Sequence, residues 1–433
     1  GWKAAGGEVF KDVNVPSKSF GEFVESKRHT PSLSAQEVKQ LIDNKEDVVV
    51  VDVRRFDEYN TMSIPTGISV PGAELVLRVP ELAPNPKTKV IVNCAGRTRS
   101  IIGTQSLINA GIPNEVNALR NGTIGWTLAG QELDKGQSRK FREVSDSTTN
   151  EAAARARNVA DRAGVKRVNL NTVHEWMQQA DRTTYFFDTR TPEEFEHSHL
   201  PGFRSVPGGQ LVQETEMVAP VRGARIVLVD PSGGGVRANM PASWLAQMAW
   251  DVYVLDGLNA SDLTEKGIWN PPLPSLPKVN LVDANTLSSW LKTDSNTIAI
   301  DLSTHANYVK GHIPGSWYAL RSQITEALKK IPQVDRYVLA SNPSELAYFA
   351  ADELEKLTNA EVYVLEGGTQ AWSKCGLELE KGASHLASPP LDRYKRPYEG
   401  TSVDPKAMQA YLDWEFGLVE QLGKDGTHHF WVL

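Results

Sequence analysis

A chain of 433 residues is too long for one hydrophobic core and divides into roughly two to four domains. Its make-up, 40% hydrophobic and 23% charged with a formal charge of -7, is that of an ordinary globular protein and disfavours nucleic acid or an anionic membrane as main partner. Two cysteines exclude a disulfide framework and point to a reducing compartment, while no apolar run reaches the ~18 residues of a membrane span and no signal-peptide pattern is present. The expected location is cytoplasmic.

The opening "GWKAAGGEV" matches "GWTLAGQEL" from Gly125 and "AWSKCGLEL" from Ala371, both at the ends of longer repeats. Residues 1–30 are therefore read as the tail of a truncated upstream repeat and a linker.

The repeats are visible in three apolar runs that each close on an aspartate: "VVVVDVR" at Asp52, "YFFDTR" at Asp188 and "IAIDLS" at Asp301. Seven residues on stand Tyr59, Phe195 and Tyr308, and 13 residues on stand Pro65, Pro201 and Pro314. A second buried-strand run follows each, "VIVNC", "IVLVD" and "YVLAS", ending 42, 42 and 40 residues beyond the anchor aspartate, at Cys94, Asp230 and Ser341. A helical stretch comes next, and a third strand signal, "VNALRNG", "VYVLDG" or "VYVLEGG", closes the unit. Strands alternating with helices at this spacing predict an α/β fold: three tandem domains, each a central, mainly parallel sheet flanked by helices. The domains fall at residues 31–138, 166–275 and 276–381.

Between the first two lies a linker, 139–165, with a helix over "EAAARARNVADRAG" that stops at Gly164. "NPPLPSLP" from Asn270 is a stiff connector, since clustered prolines forbid helix and sheet interior. A C-terminal extension, 382–433, carries a helix whose apolar positions Met408, Tyr411, Leu412, Phe416 and Val419 should pack on a neighbouring domain.

The chemistry concentrates at "CAGRTRS", Cys94 to Ser100. A loop that leaves a strand, turns through Ala95 and Gly96 and feeds a helix at Thr98 points successive amides inward, an anion-binding nest at a helix N-terminus. That nest, with Arg97 and Arg99, should favour the Cys94 thiolate, the nucleophilic form, and hold an anionic ligand. His197, His199 and His312 suggest turn residues rather than metal ligands, and neither a metal nor a cofactor is called for.

These motifs together resemble the rhodanese sulfurtransferases: the strand-terminal aspartate of "VDVR", the acidic-aromatic pair after it, "GHIPG" at Gly311, and above all the cysteine loop. The resemblance implies double displacement, in which Cys94 attacks the outer sulfur of a small anionic donor such as thiosulfate, sulfite leaves, and the persulfide passes its sulfur to cyanide, a thiol or a protein. It implies that Arg97 or Arg99 binds the sulfonate end and that a further arginine, Arg78 in "AELVLRVPEL", contributes. Asp52 and Arg54 are read as a supporting pair at the loop's mouth. Phosphatases of this fold carry a loop one residue longer, with arginine six positions after cysteine; Arg99 stands five after Cys94, the shorter loop that suits sulfur. The repeats ending in Asp230 and Ser341 lack the nucleophile and read as inactive copies, although "SGGG" with Arg237 offers a weak anion site. A persulfide carrier or interaction scaffold with incidental thiosulfate turnover is the alternative that the residues leave open.

Overall fold

The computed structural model describes residues 1–293, 295–392, 396–400 and 403–433. Two compact units emerge: residues 1–270 with 397–433, and residues 271–396.

In the first unit the first repeat is a five-stranded parallel sheet ordered Ser32–Leu33, Val116–Leu119, Lys89–Asn93, Val48–Asp52, Ile68–Ser69. The second repeat reproduces that order with Lys166–Val168, Asp251–Leu255, Arg225–Val229, Thr184–Asp188 and Arg204–Ser205. Runs such as "VVVV" and "IVLV" form the inner strands because helices cover both faces of a parallel sheet, leaving no solvated side for alternating polar residues. Val50, Val51, Ile91 and Val92 are accordingly buried.

The anchor positions share one local logic. Tyr59 and Phe195 are buried under the sheet ends, and the Tyr59 hydroxyl donates to the Gly67 carbonyl at 2.8 Å. Asp52 takes a bidentate pair from Arg54, Nε to Oδ1 at 2.9 Å and Nη2 to Oδ2 at 2.7 Å, and also accepts from Asn93 Nδ2 at 2.8 Å. Asp188 and Arg190 repeat the pair. The pair expected between Asp52 and Arg54 is thus formed, at the end of the strand that neighbours the cysteine strand. His199 is a turn residue, its ring stacked on Phe195 and its Nδ1 2.8 Å from the Phe195 carbonyl oxygen.

The segment read as a linker is more than a connector. Helix Asp146–Arg162, capped by Ser145, starts before Glu151 and buries Ala152, Ala156, Val159 and Ala160 against helices Leu75–Leu82 and Val236–Gln247. Helix Val15–Arg28 packs along Thr98–Asn109, so part of 1–30 belongs to the core of this unit. The first two repeats meet through Trp244, whose Nε1 donates to Ser106 Oγ at 2.8 Å in a cluster with Phe20 and Ile101. The C-terminal helix breaks at Gly417 into Pro405–Phe416 and Leu418–Asp425; Met408, Tyr411 and Leu412 are buried as expected, whereas Phe416 is exposed.

The second unit is the third repeat, with the same sheet order: Asn280–Val282, Glu361–Leu365, Arg336–Ala340, Thr297–Asp301, Trp317–Tyr318. Its core takes in Ala387, so residues just past 381 complete this domain rather than starting the extension. Tyr308 is buried and His312 stacks on it. Where the other repeats place Arg54 and Arg190 the third has Ser303, whose amide donates to Asp301 at 2.8 Å.

Among the described residues no helix is long and apolar enough to cross a membrane. Arg54→Ala should lower the unfolding free energy of the first unit by about 3–5 kcal/mol, because it leaves the buried Asp52 carboxylate without its cation. Urea unfolding checks this as a fall in midpoint at unchanged slope.

Candidate functional site

Strand Lys89–Asn93 delivers Cys94 to the carboxyl end of the first sheet, and helix Thr98–Asn109 begins four residues later. The loop between them is pinned from the neighbouring connection: the Thr123 amide donates to the Cys94 carbonyl at 2.9 Å and the Ile124 amide to the Ala95 carbonyl at 3.0 Å. This close approach requires glycine at 122, where φ is +54° and a Cβ would lie 2.3 Å from the Cys94 carbonyl oxygen. The third repeat does the same with Gly368, whose Cβ would lie 2.2 Å from the Ser341 carbonyl oxygen.

The Cys94 side chain is enclosed, with 1% of its surface exposed. Its Sγ lies 3.4 Å from Ser100 Oγ, and that hydroxyl donates to the Arg97 carbonyl at 2.8 Å. Burial pushes the thiol's pKa above its ordinary value, against the Arg99 charge and hydrogen bonding with the Ser100 side chain and amide, all of which pull it down. The thiolate-favouring nest expected from sequence is therefore present in part, but in this closed arrangement desolvation outweighs it.

The expected cations are less available than the sequence suggests. Arg97 is buried in a bidentate pair with Glu22, 2.7 Å on both sides; it also bonds Glu25, donates to Asn121 Oδ1 at 3.1 Å and lies over the Phe416 ring at 4.3 Å. Its charge is compensated by helix Val15–Arg28, not held ready for a sulfonate. Arg78 bonds Glu74 at 2.9 Å and the Arg142 carbonyl at 3.2 Å, and stacks on Phe141. Arg99 pairs with Glu58 at 2.7 and 2.9 Å, yet it is the arginine whose field acts on Cys94. Arg99 holds the Glu58 carboxyl down to about 2, so the pair persists until pH falls through that value. Ala95 and Gly96 are buried, and Thr98 packs its methyl group against helix Val15–Arg28 at Gly21.

The partners of four carboxylates escaped the sequence reading. Glu58 precedes the aromatic anchor Tyr59, and its counterpart Glu194, before Phe195, binds Arg237 at 2.6 and 3.0 Å; this recurrence of an acid before the aromatic could have located both pairs. Glu22 and Glu415 carry no such signal, since they reach the loop from 75 and 318 residues away in sequence. Tyr398, Met408, Tyr411 and Leu412 cover Ala95 and Ile124, and Glu415 lies among them.

The other two loops have no nucleophile in place. Asp230 accepts from the Gly233 and Arg237 amides, each at 2.9 Å, and from Arg237 Nη2 at 2.9 Å. Arg237 also meets Glu74 and Glu194, so three carboxylates surround it and the anion site considered for this loop is filled by the chain's own acids. Ser341 accepts from the Ala347 amide and donates to the Ser344 carbonyl, each at 3.1 Å, the work of a cap. Cys375 is exposed at a helix end. Among the described residues no cluster of three or more His, Cys, Asp or Glu is suited to a metal.

Comparison with known proteins gives a rhodanese-like domain at residues 34–129, 170–257 and 283–375. The crystal structure of thiosulfate sulfurtransferase from Pseudomonas aeruginosa is 62% identical, covering all of this chain and 82% of that one, with a TM-score of 0.98. The Bacillus subtilis protein YrkF is 28% identical over 97 residues, 22% of this chain and 51% of the relative. The HTH-type transcriptional regulator Rv0324 of Mycobacterium tuberculosis is 33% identical over 90 residues, 21% and 39%. The chain thus spans about half or less of these curated relatives' lengths.

Replacing Arg99 by Met should raise the pH at which the Cys94 thiol ionises, since it removes the cation whose charge lowers it. Thiolate absorbance against pH, in a Cys375→Ser background, reads the shift.

Proposed function

The chain belongs to the rhodanese family, and from that premise we propose that it is a sulfurtransferase working through Cys94 of its first repeat. The observation that carries the proposal is the Cys94–Ser100 loop: of three equivalent strand ends, this is the one with a thiol, and its Sγ faces Ser100 and feels Arg99. The likeness to a thiosulfate sulfurtransferase supports thiosulfate as donor.

In the proposed first step the Cys94 sulfur, as thiolate, forms a bond to the outer sulfur of thiosulfate. The bond to the sulfonate sulfur breaks, and its electron pair departs on sulfite. The Cys94 persulfide retains one negative charge, so the Ser100 amide and hydroxyl and the Arg99 field that oppose burial of the thiolate serve the persulfide equally. In the second step cyanide or a thiolate, free or on a protein, forms a bond to the outer sulfur, the Cys94 S–S bond breaks, and its electron pair returns to Cys94 as thiolate. Arg99 is the cation assigned to the donor's negative charge; Arg97 is a structural partner of Glu22, and Arg78 belongs to the Glu74 pair. No residue need accept a proton from the acceptor, and no metal or cofactor takes part. A free thiol nucleophile suits a reducing compartment, and the cytoplasm is the proposed location, with neither nucleic acid nor membrane as partner.

The short loop, with Arg99 five residues after Cys94, leaves room for a sulfur atom rather than a phosphate. Incubation with thiosulfate and cyanide should therefore yield thiocyanate, and Cys94→Ser should abolish it while Cys375→Ser leaves it intact. Turnover of aryl phosphates without thiocyanate formation would overturn the assignment.

A further inference from the structure

The helix Pro405–Phe416 lies on the catalytic loop. A methyl group placed on Gly96 would sit 3.2 Å from Tyr411 Cε1 and 3.3 Å from Glu415 Oε2. Glu415 is itself buried, 1% exposed; its Oε1 accepts from the Tyr411 hydroxyl at 2.7 Å, while its Oε2 is enclosed with no hydrogen-bond partner. Cys94 beside it is as closed, so a sulfur donor reaches the thiol only when something moves, and of the segments packed on the loop this helix is the one that meets it at Gly96 with an unpartnered carboxyl oxygen.

We propose that the helix Pro405–Phe416 is a cover over Cys94 whose seating requires Glu415 to be a neutral acid, so that loss of the Glu415 proton lifts the cover and admits the sulfur donor. This rests on the reading of Cys94 as the nucleophile and adds the control of access to it.

The charge environment fits. Helix Val15–Arg28 presents Glu22 and Lys18, the loop presents Arg97 and Cys94, and the cover's own helix presents Tyr411; Tyr398 and Asp12 act on Tyr411 from further out. Lys18 is bound to Asp12 at 3.3 Å and lies over the Tyr411 and Trp414 rings, and Arg97 is bound to Glu22; both still pull the Glu415 carboxyl down, as does the Tyr411 hydrogen bond, but less than burial and Glu22 push it up. Burial, with Glu22 adding to it, pushes the Glu415 carboxyl up to about 8. A buried carboxylate with one oxygen unpartnered is costly, whereas a carboxylic acid there is not. The sign follows from proton linkage. The seated state holds its proton up to about pH 8 and the lifted state releases it near the ordinary value of 4.5. Seating is therefore complete at low pH and weakens by up to about tenfold per pH unit between those values.

The test uses the full chain and hydrogen exchange of the 405–416 amides, divided by the intrinsic exchange rate at each pH. The wild type should open about tenfold more per unit between about pH 6 and pH 8. Glu415→Gln, neutral at every pH and able to accept the Tyr411 bond, should lose that dependence, and its rate of sulfur uptake from thiosulfate should no longer gain on this account. Tyr411→Phe removes a bond that favours the ionised form and should move the wild-type transition to higher pH. Equal pH dependence in wild type and Glu415→Gln, or no shift in Tyr411→Phe, overturns the proposal. Because the exchange readout does not involve sulfur, a cover that opens as described over a thiol that takes up no sulfur would instead count against the sulfurtransferase reading.

Discussion

One constraint organises the first unit: every charge buried at the carboxyl ends of its parallel strands is compensated by a partner from the chain. Asp52 with Arg54, Asp188 with Arg190, Arg97 with Glu22, Arg99 with Glu58 and Arg237 with Asp230, Glu74 and Glu194 all obey it. A lone ion there would face a desolvation penalty of several kcal/mol, and the ends of the sheet, where the loops converge, offer little water to relieve it. The active loop is what remains when this pairing is complete. It holds a thiol and a serine hydroxyl, together with an arginine whose charge is shared between Glu58 and the sulfur.

The same constraint separates the repeats. Where the strand ends in aspartate, an arginine seven residues on folds back and the loop becomes an internal salt bridge. Where it ends in serine, acid and arginine are both gone and the hydroxyl caps the following helix. Where it ends in cysteine, the thiol makes a weaker claim on its surroundings, and the field of Arg99 is left to act on whatever sulfur anion forms.

Much of this was legible in the sequence because it is local. The strand-end aspartates, the aromatic seven residues on, the proline at 13 and the five-residue step from Cys94 to Arg99 all report backbone geometry within one repeat, and all three sheets followed from them. What escaped was non-local. Nothing in "CAGRTRS" shows that Arg97 turns to Glu22 while Arg99, paired with Glu58, is the one whose charge reaches the sulfur, because Glu22 is brought by a helix packed from residues 15–28. Periodicity showed that Met408, Tyr411 and Leu412 share a buried face, but not that the face lies on the catalytic loop. The sequence marks only a linker helix over 151–164, because the face that helix Asp146–Arg162 buries is mostly alanine, which barely registers as apolar patterning. The raised thiol pKa follows from the same blindness: a motif names the groups that favour a thiolate, whereas burial is a property of everything packed around them.

The central claim is that one thiol in one of three loops carries the sulfur. The direct measurement is mass mapping of the folded protein after thiosulfate treatment, with proteolysis under conditions that preserve persulfides. One added sulfur per chain, on the peptide holding Cys94 and absent from the peptide holding Cys375, is the predicted result. Sulfur on Cys375, or none on a folded chain, would contradict it.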